Sequence, residues 1–385
     1  MAIKDRNLFR LTRFILLKLP LLFKFFAKFR NSKKRLLIIK TEAIGDYILF
    51  RNFIEIVRKS EIFKDHKIDL LGNKLWQDLA LKYDSPFIEN FFFIIPDELY
   101  ESPFKTFKLG WRLFENNYQT VLQPTFARTF ITDGLAGLTA ASQIIGFEGD
   151  TERISLKYKA RTDKFYTKKL LLPAGIDFEF DRSKFFFENV LKQPVTISGP
   201  FIPYENRTRR GIIIFPGAGV LKRSWEKQKF LALIKLINQH SQQPVYLAGG
   251  PQEKQMGDFL IASLPPESLN NLTGTTSLPQ LVELIGNAAL IIANETSAIH
   301  IAAATQTKAV CILGGGHFGR FAPYPGYVQS RPFCVYEKME CYCCNWNCKY
   351  QTGENEPYPC ISNLSVEKVW LAIQQMLPQE KNKIV

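Results

Sequence analysis

The first residues able to do chemistry sit in "TEAIGDYIL" (41–49), where Asp46 directly follows Gly45. The apolar run Leu36–Ile39 precedes it, and Ile48, Leu49, Phe53, Ile56 and Val57 follow at helical spacing. Strand, glycine turn and helix are how an α/β protein offers backbone N–H groups to a ligand. A carboxylate there reads either as an anion stabilised by the helix dipole or as a base.

A second set lies in the other half of the chain. "GIIIFPGAG" (211–219) ends a strand in a turn carrying Gly217 and Gly219, with Lys222 and Arg223 shortly after and a helix with the apolar stripe Phe230, Leu233, Ile234 and Ile237. Glycines permit close backbone approach, a helix start offers unpaired N–H groups, and either cation supplies charge, a combination suited to a diphosphate. The bland alternative is a plain strand-turn-helix corner. In "PVYLAGGPQE", Glu253 stands where a carboxylate can accept from ribose hydroxyls. In "NETSAIH", Glu295, Thr296 and Ser297 close another strand, with His300 in the first turns of the next helix. Ligands of open α/β sheets bind outside the carboxyl ends of strands, and three such ends here are polar or glycine-rich.

Metal chemistry has one candidate. "CYCCNWNCKYQTGENEPYPC" brings Cys341, Cys344, Cys348 and Cys360 within twenty residues, enough thiolates to close a tetrahedral structural site for zinc or iron. Cys343 is spare, and Cys311 and Cys334 read as lone buried thiols. No two aspartates are two apart, so the Asp-x-Asp device that holds a diphosphate through a metal is missing, and side-chain cations and helix termini must neutralise it.

Alternating strands and helices must position these groups. Leu36–Ile39, Ile68–Leu71, Phe91–Ile95 and Thr120–Leu122 read as strands of one half, and Gly211–Phe215, Pro244–Ala248, Leu290–Ala293 and Ala309–Leu313 as strands of another. Short apolar strands between helices indicate parallel sheets. The chain has 385 residues, 46% of them hydrophobic, enough for two domains. The polar stretch 193–209, including "YENRTRR", separates residues 35–195 from 205–385.

The formal charge of +14 is concentrated at one end: residues 1–35 hold eleven Lys/Arg against Asp5 alone. A surface tracking nucleic acid would spread its charge over the folded body, so nucleic acid is not an expected partner. Residues 1–34 read as a basic tail whose longest uncharged run is five residues, far short of a bilayer span. Arg6, Arg10, Arg13, Lys24 and Lys28 fall on one side of a helix, with Phe and Leu over most of the rest and Pro20 as a kink. This is the pattern of an interfacial helix on an anionic membrane; the alternative is a helix packed on the protein's own surface.

Taken together, "IIKTEAIGDYILF", "FPGAGVLKRSWEKQKF", "LAGGPQE", "LTGTTSLPQLVELIGNAALIIANETSAIHIAAA" and the late cysteine cluster resemble the family 9 glycosyltransferases, the ADP-heptose:lipopolysaccharide heptosyltransferases, over residues 35–375. The resemblance implies a GT-B α/β fold, two Rossmann-like domains with parallel sheets facing a cleft, the acceptor on the N-terminal one and the nucleotide sugar on the C-terminal one. It implies an inverting transfer, needing no cofactor, to a membrane-associated glycolipid on the cytoplasmic face of the cell membrane. Asp46 becomes the base. Arg223, with Lys222 as the alternative, meets the diphosphate; Thr296 and Ser297 the leaving phosphate; Glu253 the ribose; and His300 matches the histidine after the phosphate turn. Two departures bear on the donor: Glu295 stands where the family has aspartate against the sugar, and "GGGHFGRFAPYP" brings His317 and Arg320 toward the site. ADP-heptose is the family default, another nucleotide sugar the alternative. A non-catalytic nucleotide-sugar-binding relative would lack the base, against which Gly45-Asp46 counts, and a Rossmann dehydrogenase would need Gly-x-Gly-x-x-Gly in the first turn.

Overall fold

The computed structural model describes residues 3–204 and 209–377. Positions 205–208 of the polar stretch between the halves lie outside the described residues. Contacts divide the chain into two compact units, residues 1–176 with 180–196, and 177–179 with 197–385.

The first unit is a six-stranded parallel sheet of β1 (Lys33–Lys40), β2 (Lys67–Asn73), β3 (Asn90–Ile94), β4 (Tyr118–Gln123), β5 (Gln143–Phe147) and β6 (Lys168–Leu170), in the order β3-β2-β1-β4-β5-β6. The second repeats that topology with β7 (Ile212–Phe215), β8 (Val245–Leu247), β9 (Asn270–Asn271), β10 (Leu290–Asn294), β11 (Ala309–Ile312) and β12 (Phe333–Val335), in the order β12-β11-β10-β7-β8-β9. Both are the doubly wound order in which the sheet reverses beside its first strand, opening a crevice at the carboxyl ends of β1 and β4, or β7 and β10. The central strands are apolar because helices cover both faces: every residue of β7 and β10 is buried. The strands missing from the sequence reading are β5, β6, β9 and β12; Cys311 and Cys334, both free thiols, are register partners on β11 and β12, Cys311 buried and Cys334 only half-buried.

The basic N-terminal segment is a helix of the first unit. Helix α1 (Arg6–Ala27) is capped by Asp5, whose carboxylate accepts from the N–H groups of Asn7 and Leu8, and it stays helical through Pro20. Its inner face, Thr12, Leu16, Pro20 and Phe23, is buried, and Leu16 and Phe23 join the core. The Phe23 ring lies 4.5 Å from that of Phe114 at the end of α3 (Pro103–Glu115). Gly134 in α4 (Phe130–Leu138) makes room for Leu16: a Cβ there would come within 2.7 Å of the leucine's own Cβ. The next helix, α5, spans Leu156–Thr162.

Candidate active site

In the first unit the crevice beside β1 is a cavity of about 810 Å³, lined among others by Thr41, Asp46, Asn73, Tyr100, Thr129 and Arg153. Asp46 occupies the first turn of α2 (Ile44–Phe50). The turn that delivers it is pinned from β2: Asn73 Nδ2 donates to the Thr41 carbonyl at 2.8 Å and Trp76 Nε1 to the Glu42 carbonyl at 3.0 Å. Gly72 permits this, because a Cβ there would stand 2.1 Å from the indole. Trp76 stacks on Tyr47 at 4.3 Å, the Tyr47 hydroxyl donates to Asp84, and Arg51 Nη2 donates to Asp84 Oδ1 at 2.7 Å. Burial raises the pKa of Asp84 while Arg51 and Tyr47 pull it down. Removing one partner of such a buried pair costs about 3–5 kcal/mol, so Asp46 sits on a rigid base.

In the second unit the turn after β7 and the end of β8 enclose a cavity of about 530 Å³ that includes Gly217, Gly219, Lys227, Glu253 and Phe259. Glu253 folds over the turn, where a Cβ on Gly217 would come within 2.4 Å of its Oε1, and Gly219 takes the left-handed φ of +68° that favours glycine. Lys227, at the start of α6 (Lys227–His240), lies 4.4 Å from the Phe259 ring centre. Asn294 ties β10 to this turn: its Nδ2 donates to the Pro216 carbonyl at 2.6 Å and its Oδ1 accepts from the Trp225 N–H at 3.1 Å.

Beyond Asn294 the charged residues gather. Glu295 feels both Arg223 and Arg320, yet burial dominates and pushes its carboxyl up to about 8. Its Oε2 is sealed from solvent with no hydrogen-bond partner among the described residues. Burial likewise lowers the pKa of Arg223, whose guanidinium lies 4.5 Å from the Trp346 ring centre. Lys222 turns elsewhere, donating to Thr352 Oγ1 at 3.2 Å. Arg320 Nε donates to Glu179 Oε2 at 3.3 Å, and His317 Nδ1 accepts from Trp346 Nε1 at 3.2 Å. Thr296 caps α7 (Ser297–Ala304), which Ser297 begins. His300 is buried in that helix, 2.7 Å from the Tyr324 hydroxyl, and burial lowers its pKa to about 4, so the ring is neutral.

Cys341, Cys344, Cys348 and Cys360 line one small cavity with Gly315 and Trp346, while Cys343 is exposed. Among the described residues, however, no three His, Cys, Asp or Glu side chains are arranged to hold a metal ion. The loop lies on the glycine run that follows β11. The Cys343 and Asn345 N–H groups donate to the Gly315 and Gly316 carbonyls, and a Cβ on Gly316 would come within 2.2 Å of the Trp346 ring. Cys343, Asn345 and Trp346 all adopt positive φ, of 64°, 50° and 61°. Sequence reasoning missed Trp346, Asn294 as a tie, Lys227 and the Asn73–Trp76 pins. Trp346 alone carried a signal, as an aromatic inside the cysteine run.

Two doubly wound parallel units, each with its polar groups at the switch point, define an α/β protein of the GT-B class. The model of glycosyltransferase family 9 (heptosyltransferase) matches residues 107–345, and the chain belongs to that family. It is 25% identical over 171 residues to lipopolysaccharide heptosyltransferase 3 of Escherichia coli K12. That match spans 44% of this chain and 47% of the relative, about half its length. The fold is similar to the family 9 glycosyltransferase of Veillonella parvula, with a TM-score of 0.69 at 18% identity over 90% of this chain and 98% of that one. It is also similar to E. coli ADP-heptose LPS heptosyltransferase II, with a TM-score of 0.66 at 17% identity over 90% and 99%.

Proposed function

We propose that the protein transfers a sugar with inversion from a nucleotide sugar to a hydroxyl of a glycolipid acceptor. The observation that carries this reading is Asp46 held at the switch-point cavity of the first unit. The acceptor oxygen bonds to the anomeric carbon as the bond from that carbon to the diphosphate breaks. Asp46 takes the hydroxyl's proton, and the leaving diphosphate keeps the electron pair. Glu253 accepts from the ribose, Gly217 and Gly219 let the backbone approach the nucleotide, and Arg223 with the start of α7 meets the departing charge, where preorganised donors contribute most to rate. Asp46 alone supplies about 10²–10⁴-fold as base.

ADP-heptose is the donor that the relatives' names favour, and a lipopolysaccharide-type glycolipid the acceptor. Glu295, a methylene longer than aspartate and neutral below about pH 8, supports a second reading with a different sugar, because a protonated carboxyl donates to a sugar oxygen. A thermal-shift screen separates the two. At 100 times its dissociation constant the true donor stabilises by about 2.7 kcal/mol. The shift is lost in Arg223→Ala and kept in Lys222→Ala, whose ammonium is engaged with Thr352. No shift with any ADP-, UDP- or GDP-sugar would contradict the reading.

Two parts of the proposal lie away from the chemistry. The protein works at the cytoplasmic face of the cell membrane, held there through α1; among the described residues no helix is long and apolar enough to cross a membrane. The four cysteines take a structural zinc or iron after small side-chain rotations, since they line one cavity and soft thiolates suit both metals. Elemental analysis of protein prepared without chelator then finds about one metal per chain. Cys344→Ser loses the metal. Metal-free protein with reduced thiols would contradict this part.

A further inference from the structure

The basic residues of α1 are not spread over a tail; some of them face a second helix. A cavity of about 730 Å³ runs between α1 and α5, lined by Arg10, Arg13, Lys18, Lys157 and Arg161 together with Asn7, Leu11, Phe14 and Leu17. Among the described residues no carboxylate lines it. Among the described residues none of the five cations forms an ion pair, whereas the neighbouring Lys159 is paired with Glu148 and Asp163. Five unpaired cations in one groove repel one another unless an anion sits among them.

The rim of the groove is apolar and open. Leu11 and Phe14 are 55% and 58% exposed, and Leu156, beside Lys157, is 72% exposed. Further along α1 and just past it, Leu21, Phe25, Phe26 and Phe29 continue that face. Large apolar side chains interleaved with cations suit a bilayer interface, where rings and aliphatic chains enter the headgroup boundary and cations meet phosphates. The groove is also joined to the acceptor cavity along two stretches of chain: Ile3 and Ser155 line the acceptor cavity, and Asn7 and Lys157, four and two residues on, line the groove.

We infer that the α1–α5 groove is a seat for the phosphate headgroups of an anionic bilayer, with Lys157 and Arg161 of α5 as members equal to the α1 cations. The bilayer then lies beside the acceptor cavity, where a membrane-borne hydroxyl would be presented to Asp46. The inference rests on the membrane association proposed above but not on the transferase chemistry.

Vesicle co-sedimentation of the full chain tests it, using phosphatidylcholine vesicles with and without phosphatidylglycerol. Wild type binds the anionic vesicles, and inorganic phosphate at matched ionic strength does not displace it. Each cation lost near an anionic surface lowers partitioning about five-fold, so Lys157→Ala/Arg161→Ala lowers it about 25-fold. Arg10→Ala/Arg13→Ala does the same, and Phe14→Ser lowers binding further at any salt. Lys157 and Arg161 are exposed, so the melting temperature of the α5 double variant stays that of wild type. An α5 variant that binds like wild type would overturn the headgroup seat while leaving membrane association through α1 standing. Wild type with no preference for anionic vesicles would overturn both.

Discussion

At the scale of single residues, the pair to test is Glu295 and His300. The folded-state pKa of Glu295 is raised to about 8 by burial, so the folded protein holds a proton there that the unfolded chain has already released. Its contribution to stability therefore falls as pH rises from the ordinary carboxylate range toward 8. His300, lowered to about 4, works the other way: stability is lost as pH falls from about 6.5 toward 4, because only the unfolded chain takes up the proton. Chemical denaturation across pH should show both slopes. Glu295→Gln should remove the slope that runs up to about pH 8. An unchanged profile in Glu295→Gln would place the titrating group elsewhere. The placement of Asp46, Gly217 and Glu253 at strand ends was legible in the sequence because each belongs to a local strand-turn-helix device whose spacing is visible along the chain. Trp346 was not, since its contacts with Arg223 and His317 exist only once a loop more than 100 residues from Arg223 folds back on the glycine run after β11.

At the scale of elements, most central strands and the edge strand β3 were readable, and the other three edges were not. β1, β7 and β10 carry continuous apolar runs because they are covered on both faces, whereas β6, β9 and β12 are sheet edges of two or three residues, half-exposed and too short for any periodicity. β5, at five residues with a glycine inside, gives little more. Helix α1 shows the other limit of the sequence. Its cationic side and its exposed apolar side were plain, but the narrow strip of Thr12, Leu16, Pro20 and Phe23 that docks it emerges only against Gly134 and Phe114. The helix is part of the core, so Leu16→Ala should destabilise the first unit by about 2–5 kcal/mol, as buried leucine truncations do. Urea unfolding would measure it, and a loss under about 0.5 kcal/mol, the range of surface changes, would mean that α1 is only loosely attached.

At the scale of the whole molecule, the two units repeat one topology and differ in what they place at the switch point. The first puts a carboxylate at a helix start on a cavity of about 810 Å³; the second puts two glycines, Glu253 and Lys227 around one of about 530 Å³. In the proposed reaction the first supplies the base for the acceptor and the second the cradle for the leaving group. That division is tested most directly by turnover of Asp46→Asn with ADP-heptose and a lipopolysaccharide-type acceptor, alongside donor binding to the same variant. The account predicts nearly unchanged donor binding and turnover lower by at least ~10²-fold, the loss expected when a general base is removed; a folded variant that turns over at the wild-type rate would contradict it.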